Sequence, residues 1–155
     1  MTRWPDPVLR VALWVYEALW IILIPLVWLY LRKRGRRDPL YAHHISERFG
    51  HAKTPVTGAI WVHAVSLGEM RSATPLIRAL LARGDRVITT HFTPAGRREA
   101  MREFHAQIAA GQLQTLWVPF ETRRAYRRFL TTFQPRLGLV MEIEVWPMMI
   151  KMARA

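Results

Sequence analysis

The sequence predicts an α/β protein in which an apolar membrane-anchoring helix precedes a Rossmann-like parallel sheet domain. Three observations carry this reading. Residues 11–31, VALWVYEALWIILIPLVWLYL, contain one charge, Glu17, in a stretch that reaches the roughly 20 apolar residues a bilayer core requires. RKRGRR, residues 32–37, follows with five positive charges in six positions. From residue 59 to the end, apolar or β-branched runs alternate four times with helical segments, the pattern of parallel strands joined by right-handed crossovers.

The apolar stretch followed by a basic cluster reads as a membrane anchor with its C-terminal side cytoplasmic, favouring anionic lipid headgroups. A cleavable signal peptide does not fit, because the basic cluster follows the apolar run and no small-residue cleavage site appears. Glu17 and Pro25 leave two geometries open, a span and a helix lying in the interface. The whole chain of 155 residues carries a formal charge of +12, and 20 of its 23 basic residues are arginine. Such a balance points to an anionic partner. The densest basic cluster abuts the apolar segment, so lipid is favoured and no nucleic-acid partner is expected. There are no cysteines, which excludes disulfides, thiolate metal sites and cysteine nucleophiles.

The remaining elements follow in order. Asp38-Pro39 reads as a helix cap, and Gly50 closes a helix of about three turns that carries His43, His44, Glu47 and Arg48. HAKTPVTG is a loop. Strands are expected over 59–65, 86–92, 114–118 and 136–143, and helices over 68–83, 93–110, 122–133 and from Trp146 onward. Leu76, Ile77, Leu80 and Leu81 supply the helical period of the first crossover, and Thr93-Pro94 caps the second. In such sheets ligands bind beyond the carboxyl ends of the strands, here Ser66–Glu69, His91–Gly96, Pro119–Glu121 and Glu142–Trp146.

Ser66, Gly68 and Glu69 stand at the first of these edges. Gly68 would let a ligand approach the backbone at a helix N-terminus, although an ordinary turn and a dipole-compensating Glu69 explain the same residues. Thr93 and Gly96 repeat the arrangement, the threonine as a cap and the glycine leaving the first turn open to a phosphate or sugar. Glu142 and Glu144 would point the same way if the chain stays extended, as crowded acids suited to sugar hydroxyls or base chemistry. Glu47, beside Arg48, reads locally as one half of a solvated ion pair. The six histidines lack metal-binding spacing, and phosphate-loop, dinucleotide and G-x-S-x-G signatures are absent, so no metal and no cofactor are expected.

Taken in order, E-R-F-G (47–50), H-A-V-S-L-G-E (63–69), T-P-A-G (93–96), P-F-E (119–121) and M-E-I-E-V-W-P (141–147) closely resemble the N-terminal half of the 3-deoxy-D-manno-octulosonic acid (Kdo) transferases. The resemblance implies a metal-independent, inverting GT-B glycosyltransferase of lipopolysaccharide synthesis at the cytoplasmic face of the inner membrane. In this family the N-terminal domain takes a lipid A precursor as acceptor and a C-terminal domain takes CMP-Kdo as donor. It makes Glu47 the catalytic base and places Ser66, Gly68, Glu69, Thr93, Gly96, Glu142 and Glu144 on the substrate-binding edge. Two departures stand out: Ile143, Val145 and Met148 replace threonine, leucine and asparagine of the family pattern M-E-T-E-L-W-P-N, and T-P-A-G replaces T-P-T-G. The expected organisation is an anchor with its basic flank over 1–37 and an incomplete acceptor domain over 38–155, the donor domain absent and the chain inactive alone. A catalytically silent lipid A precursor-binding module, or another envelope GT-B enzyme, are the competing readings.

Overall fold

The structure, a computed structural model, describes residues 6–142, 144 and 146–154. Helix α1 runs Pro7–Gly35. It starts where the Asp6 carboxylate accepts the Leu9 N–H at 2.8 Å and Pro7 takes the first helical position. Arg32, Lys33 and Arg34 fall in its last turn, where positive charge complements the helix dipole. Strands β1 (Ile60–His63), β2 (Val87–His91), β3 (Leu113–Trp117) and β4 (Leu137–Val140) form one sheet in the order β3-β2-β1-β4, with every pairing parallel. The crossovers are α2 (Leu67–Ala82), α3 and α4 (Pro94–Glu103, His105–Ala109) and α5 (Arg123–Phe133); α6 (Pro147–Ala153) follows β4.

Alternation along β1 divides the core. Ile60 and Val62 face α2 and α3 with Met70, Ile77 and Phe104, whereas Trp61 faces α5 and α6 with Phe129, Phe133 and Met148. The outcome is three layers, with helices on both faces of the sheet. β4 pairs only with β1 among the described residues, and Leu137 and Val140 on it are exposed.

Three segments depart from the expected elements. The helix expected across Pro39–Phe49 is two short 3₁₀ turns, Pro39–Tyr41 and Ile45–Phe49, separated at His44, whose φ is 55°. Packing decides this: the second turn ends on Gly50 (φ 81°), where a Cβ would lie 2.3 Å from the Ala125 carbonyl oxygen. The helix expected across 93–110 breaks at Phe104, a residue 2% exposed, so that its ring reaches the core. β4 ends at Val140, and Glu142 turns into the left-handed region at φ 57°. The extended backbone expected to align Glu142 with Glu144 is therefore interrupted; Ile143 and Val145 lie outside the described residues.

α1 does not stand apart from the sheet domain. Tyr16 donates to Glu121 at 3.2 Å, and the Glu17 carboxylate accepts the Arg123 N–H at 2.7 Å. Leu13 and Leu31 are each only 4% exposed, while Trp14, Leu19, Ile22 and Leu26 on the other faces are open.

Inside the sheet, His63 Nδ1 and Trp61 Nε1 both meet Thr90 Oγ1 at 2.8 Å, and His91 bridges the Ala64 carbonyl and Thr89 Oγ1. Burial pushes His63 down to about 4 and His91 down to about 3, from 6.5. The unfolded chain binds these protons near 6.5 and the fold does not, so the stability of the neutral pair is whole above that pH. It is lost as pH falls from 6.5 toward 3, by up to ~1.4 kcal/mol per pH unit per histidine. Urea unfolding at pH 7.5 and pH 5 should show a markedly lower midpoint at pH 5, and His63→Gln should flatten that dependence.

Candidate active site

In the strand order β3-β2-β1-β4 the crossovers from β1 and into β4 leave β1 in opposite directions, which opens a crevice at its carboxyl end. Four loops converge on that edge. In the first, Ser66 caps α2: its Oγ accepts the Glu69 N–H at 3.3 Å and donates to Glu69 Oε1 at 2.8 Å, while Glu69 Oε2 accepts the Val65 N–H at 2.8 Å. Ser-x-x-Glu is thus a cap in which both carboxylate oxygens are spent on the turn, and Glu69 is 4% exposed. Gly68, by contrast, is exposed, and a Cβ there would meet nothing closer than Ser66 Oγ at 3.9 Å.

The second loop is stitched to the first. Thr93 Oγ1 accepts the Gly96 N–H and donates to the Val65 carbonyl. Gly96 does not hold its turn open for a ligand, as the sequence reading expects: it is buried, and a Cβ would sit 2.9 Å from the Ser66 carbonyl oxygen. The glycine is needed because the two loops touch through their backbones.

Glu47 is where the structure departs most from its local reading. Its partner is not the adjacent Arg48 but Arg97, fifty residues on, which donates to Glu47 Oε2 from Nη1 at 2.6 Å and to Oε1 from Nη2 at 3.0 Å. Oε2 also accepts the Trp117 N–H at 2.9 Å. Both side chains are nearly buried, 11% and 6% exposed for Glu47 and Arg97. The Arg97 guanidinium lies 4.8 Å from the Trp117 ring centroid, and Arg48 lies 4.5 Å from the same ring. Arg48 is 1% exposed, and its Nε and Nη2 find no partner among the described residues. Burial pushes its guanidinium down to about 10, and neighbouring Arg97 pushes the same way.

At the β4 edge Glu142 is exposed, and Glu144 Oε2 accepts the Trp146 Nε1–H at 2.6 Å. Glu121, from P-F-E, closes the site from below. Its Oε2 accepts the Met148 N–H at 2.8 Å and its Oε1 accepts the Met149 N–H at 3.1 Å, fixing the start of α6. Burial raises its carboxyl, and those two N–H groups oppose the rise.

Between α1 and these loops lies a cavity of about 290 Å³, lined by Arg34, Arg48, Phe92, Thr93, Phe120 and Trp146 among others. A larger groove, about 640 Å³, runs between α1 and the arginines of α5, but it is more open and lies away from the strand ends. Of the residues expected from sequence, Ser66, Glu69, Thr93 and Gly96 are brought together, and Glu47 joins them through Arg97. Only Thr93 lines the enclosed cavity; Glu142 and Glu144 stand at a separate edge. Arg97 and Trp117 are missed by sequence reasoning, which reads Arg48 only as the ion-pair neighbour of Glu47. Their one local signal is the arginine next to Gly96, whose partner is distant in the chain.

Residues 43–155 match the family model described as 3-Deoxy-D-manno-octulosonic-acid transferase (kdotransferase). The chain is 48% identical over 141 residues to the 3-deoxy-D-manno-octulosonic acid transferase of Bordetella pertussis, covering 86% of this chain and 32% of that protein. It is 31% identical over 140 residues to the Haemophilus influenzae protein of the same name, covering 87% and 32%. It is 35% identical over 142 residues to the Arabidopsis thaliana protein named probable 3-deoxy-D-manno-octulosonic acid transferase, mitochondrial, covering 90% and 31%. The chain therefore spans about a third of the length of these relatives.

The ion pair sets a stability test. Glu47→Ala leaves the buried Arg97 cation unpaired and should cost about 3 kcal/mol, read by urea unfolding. Glu47→Leu combined with Arg97→Met should recover much of that loss. A double variant as unstable as the sum of the two single variants would show that the pair is not coupled.

Proposed function

The chain belongs to the Kdo transferase family, and from that premise we propose that it forms the acceptor side of a glycosyltransferase that moves Kdo from CMP-Kdo to a lipid A precursor. One observation carries this reading: the lipid-facing helix α1 borders one cavity with Thr93 at the strand edge and with Arg48, the chain neighbour of Glu47. A membrane-held acceptor can therefore reach the site without leaving the lipid. The arginine-rich surface suits its phosphates. The arrangement is the N-terminal half of a GT-B enzyme at the cytoplasmic face of the inner membrane, with the donor bound by a second domain.

Glu47 serves as general base. Oε2 is occupied by two donors, whereas among the described residues Oε1 accepts only from Arg97 and stands 4.0 Å from His44 Nδ1, so Oε1 is the atom with a lone pair for a substrate hydroxyl. As the acceptor oxygen attacks the anomeric carbon of Kdo, its proton passes to Oε1. The bond from that carbon to the phosphate oxygen breaks, CMP leaves, and the configuration inverts. The step as written uses no metal ion. Gly68 gives the sugar access to the backbone, Ser66, Glu69, Thr93 and Gly96 shape the two loops beside it, and Glu142 and Glu144 take acceptor hydroxyls.

α1 lies in the plane of one leaflet. Its buried contacts extend from Leu13 to Leu31, roughly 27 Å of helix. A perpendicular span would draw the Glu17–Arg123 contact into hydrocarbon or tear it apart. The chain has no cysteine, so Val8→Cys and Arg36→Cys can be labelled singly in sealed vesicles with an impermeant maleimide. Both should react from the same side; labelling from opposite sides would establish a span.

Transfer itself is tested by this polypeptide alone and joined to the remaining two thirds of the Bordetella pertussis relative, supplied with CMP-Kdo and lipid A precursor. The joined protein should transfer Kdo, and Glu47→Gln, which keeps the shape of the side chain, should lower kcat roughly 100-fold or more with acceptor affinity little changed. No transfer in either form, with the lipid still bound, would favour a silent binding module.

A further inference from the structure

The cavity between α1 and the strand ends has apolar walls on most sides, from Trp20, Val27 and Leu31 of α1 and from Phe92, Val118 and Phe120 of the sheet domain. Its volume of about 290 Å³ equals roughly ten waters. Two arginines break the apolar lining, and among the described residues no carboxylate contributes to it. Arg48 forms part of its wall. Its guanidinium rests against Trp117 at 4.5 Å and faces the Phe92 and Phe120 rings at 5.7 and 6.0 Å, with two nitrogens unpartnered among the described residues. Arg34 stands at the α1 side, between Tyr30 and Tyr41, and donates to the Tyr41 hydroxyl at 3.3 Å.

A buried guanidinium with unmet donors is costly unless an anion arrives, because each unpaired N–H has lost water and gained nothing. The neighbouring carboxylate, Glu47, favours the Arg48 charge only through space, because its hydrogen bonds go to Arg97 and to the Trp117 N–H. The positive charge of Arg48 is left over at the bottom of a greasy chamber. Phosphate oxygens match guanidinium donors in spacing and charge, and hydrocarbon matches the walls.

We propose that Arg48, assisted by Arg34, binds the phosphate group of a phosphorylated amphiphile whose hydrocarbon lies against α1 and the Phe92–Phe120 wall. That this amphiphile is the acceptor rests on the transfer reading above; the anion site itself rests on the cavity and its unpaired cation. Trp146 lines the same chamber and carries a spectroscopic signal into it.

The full chain in nonionic detergent is titrated with dihexanoyl phosphatidic acid, dihexanoyl phosphatidylcholine and inorganic phosphate, with tryptophan fluorescence and calorimetry as readouts. Phosphatidic acid should bind, and tighter than inorganic phosphate by at least tenfold, while phosphatidylcholine should bind weakly. Arg48→Gln should weaken phosphatidic acid by roughly tenfold or more, and Arg34→Gln by severalfold. Since Arg48 is buried, Val27→Trp provides a second probe, filling the chamber from α1 without removing the guanidinium; it should abolish the amphiphile's advantage over inorganic phosphate. Unchanged affinity in a folded Arg48→Gln protein, or equal affinity for phosphatidic acid and inorganic phosphate, would overturn the proposal. Transfer is measured separately in the joined enzyme. Arg48-dependent binding without transfer would sink the transfer reading and leave the site standing, and transfer by an Arg48→Gln protein with undiminished binding would do the reverse.

Discussion

A nearly buried carboxylate must find donors for its oxygens, and the position of nearly everything at the strand edge follows from how Glu47 does so. Arg97 reaches it from the first turn of α3, Trp117 donates its backbone N–H from the end of β3, and the indole of the same tryptophan contacts both Arg97 and Arg48. One ion pair thus ties together the segment before the sheet, a crossover helix and the last residue of a strand. Removing either charge leaves the other buried, which is why the two are expected to be far more costly apart than together. The same geometry explains why Arg48 is left with unmet donors. Two guanidinium groups approach one indole, but the single carboxylate hydrogen-bonds only Arg97.

A second set of carboxylates does the equivalent work for α1. Glu121 holds the first N–H groups of α6 and the Tyr16 hydroxyl, and Glu17 holds the start of α5. The one acid within the apolar stretch is therefore a docking residue. Its cost in an apolar helix is offset by a contact with the sheet domain, and that contact sets the helix alongside the domain rather than pointing away from it. The exposed apolar face of α1 and the enclosed cavity then lie on the same helix.

Much of this was legible in the residues. Four alternations of apolar run and amphipathic segment are enough to give a parallel sheet, because side-chain periods of two and 3.6 residues are local properties. Thr93 announces a helix start and caps as expected, whereas Ser66 and Thr122 are caps that only the structure reveals. The segment around Glu47 was not legible in this way. Its helical pattern yields to two 3₁₀ turns because Gly50 must sit against the backbone of α5, a contact 75 residues away in sequence. Gly96 reads equally well as an opening for a ligand or as a close approach of two loops, and only the position of the Ser66 carbonyl decides.

What the sequence by itself determined was the order of elements, the carboxyl edge on which polar residues gather, and the presence of an apolar helix with a basic flank. These depend on periodicity, capping and charge, which act over a few residues. Tertiary structure decided which charges meet: Glu47 with Arg97 rather than its neighbour Arg48, Glu17 with Arg123, and Glu69 with its own turn. Partner choice among buried ions is settled by which groups lose their water together when distant segments pack, and no local pattern records that.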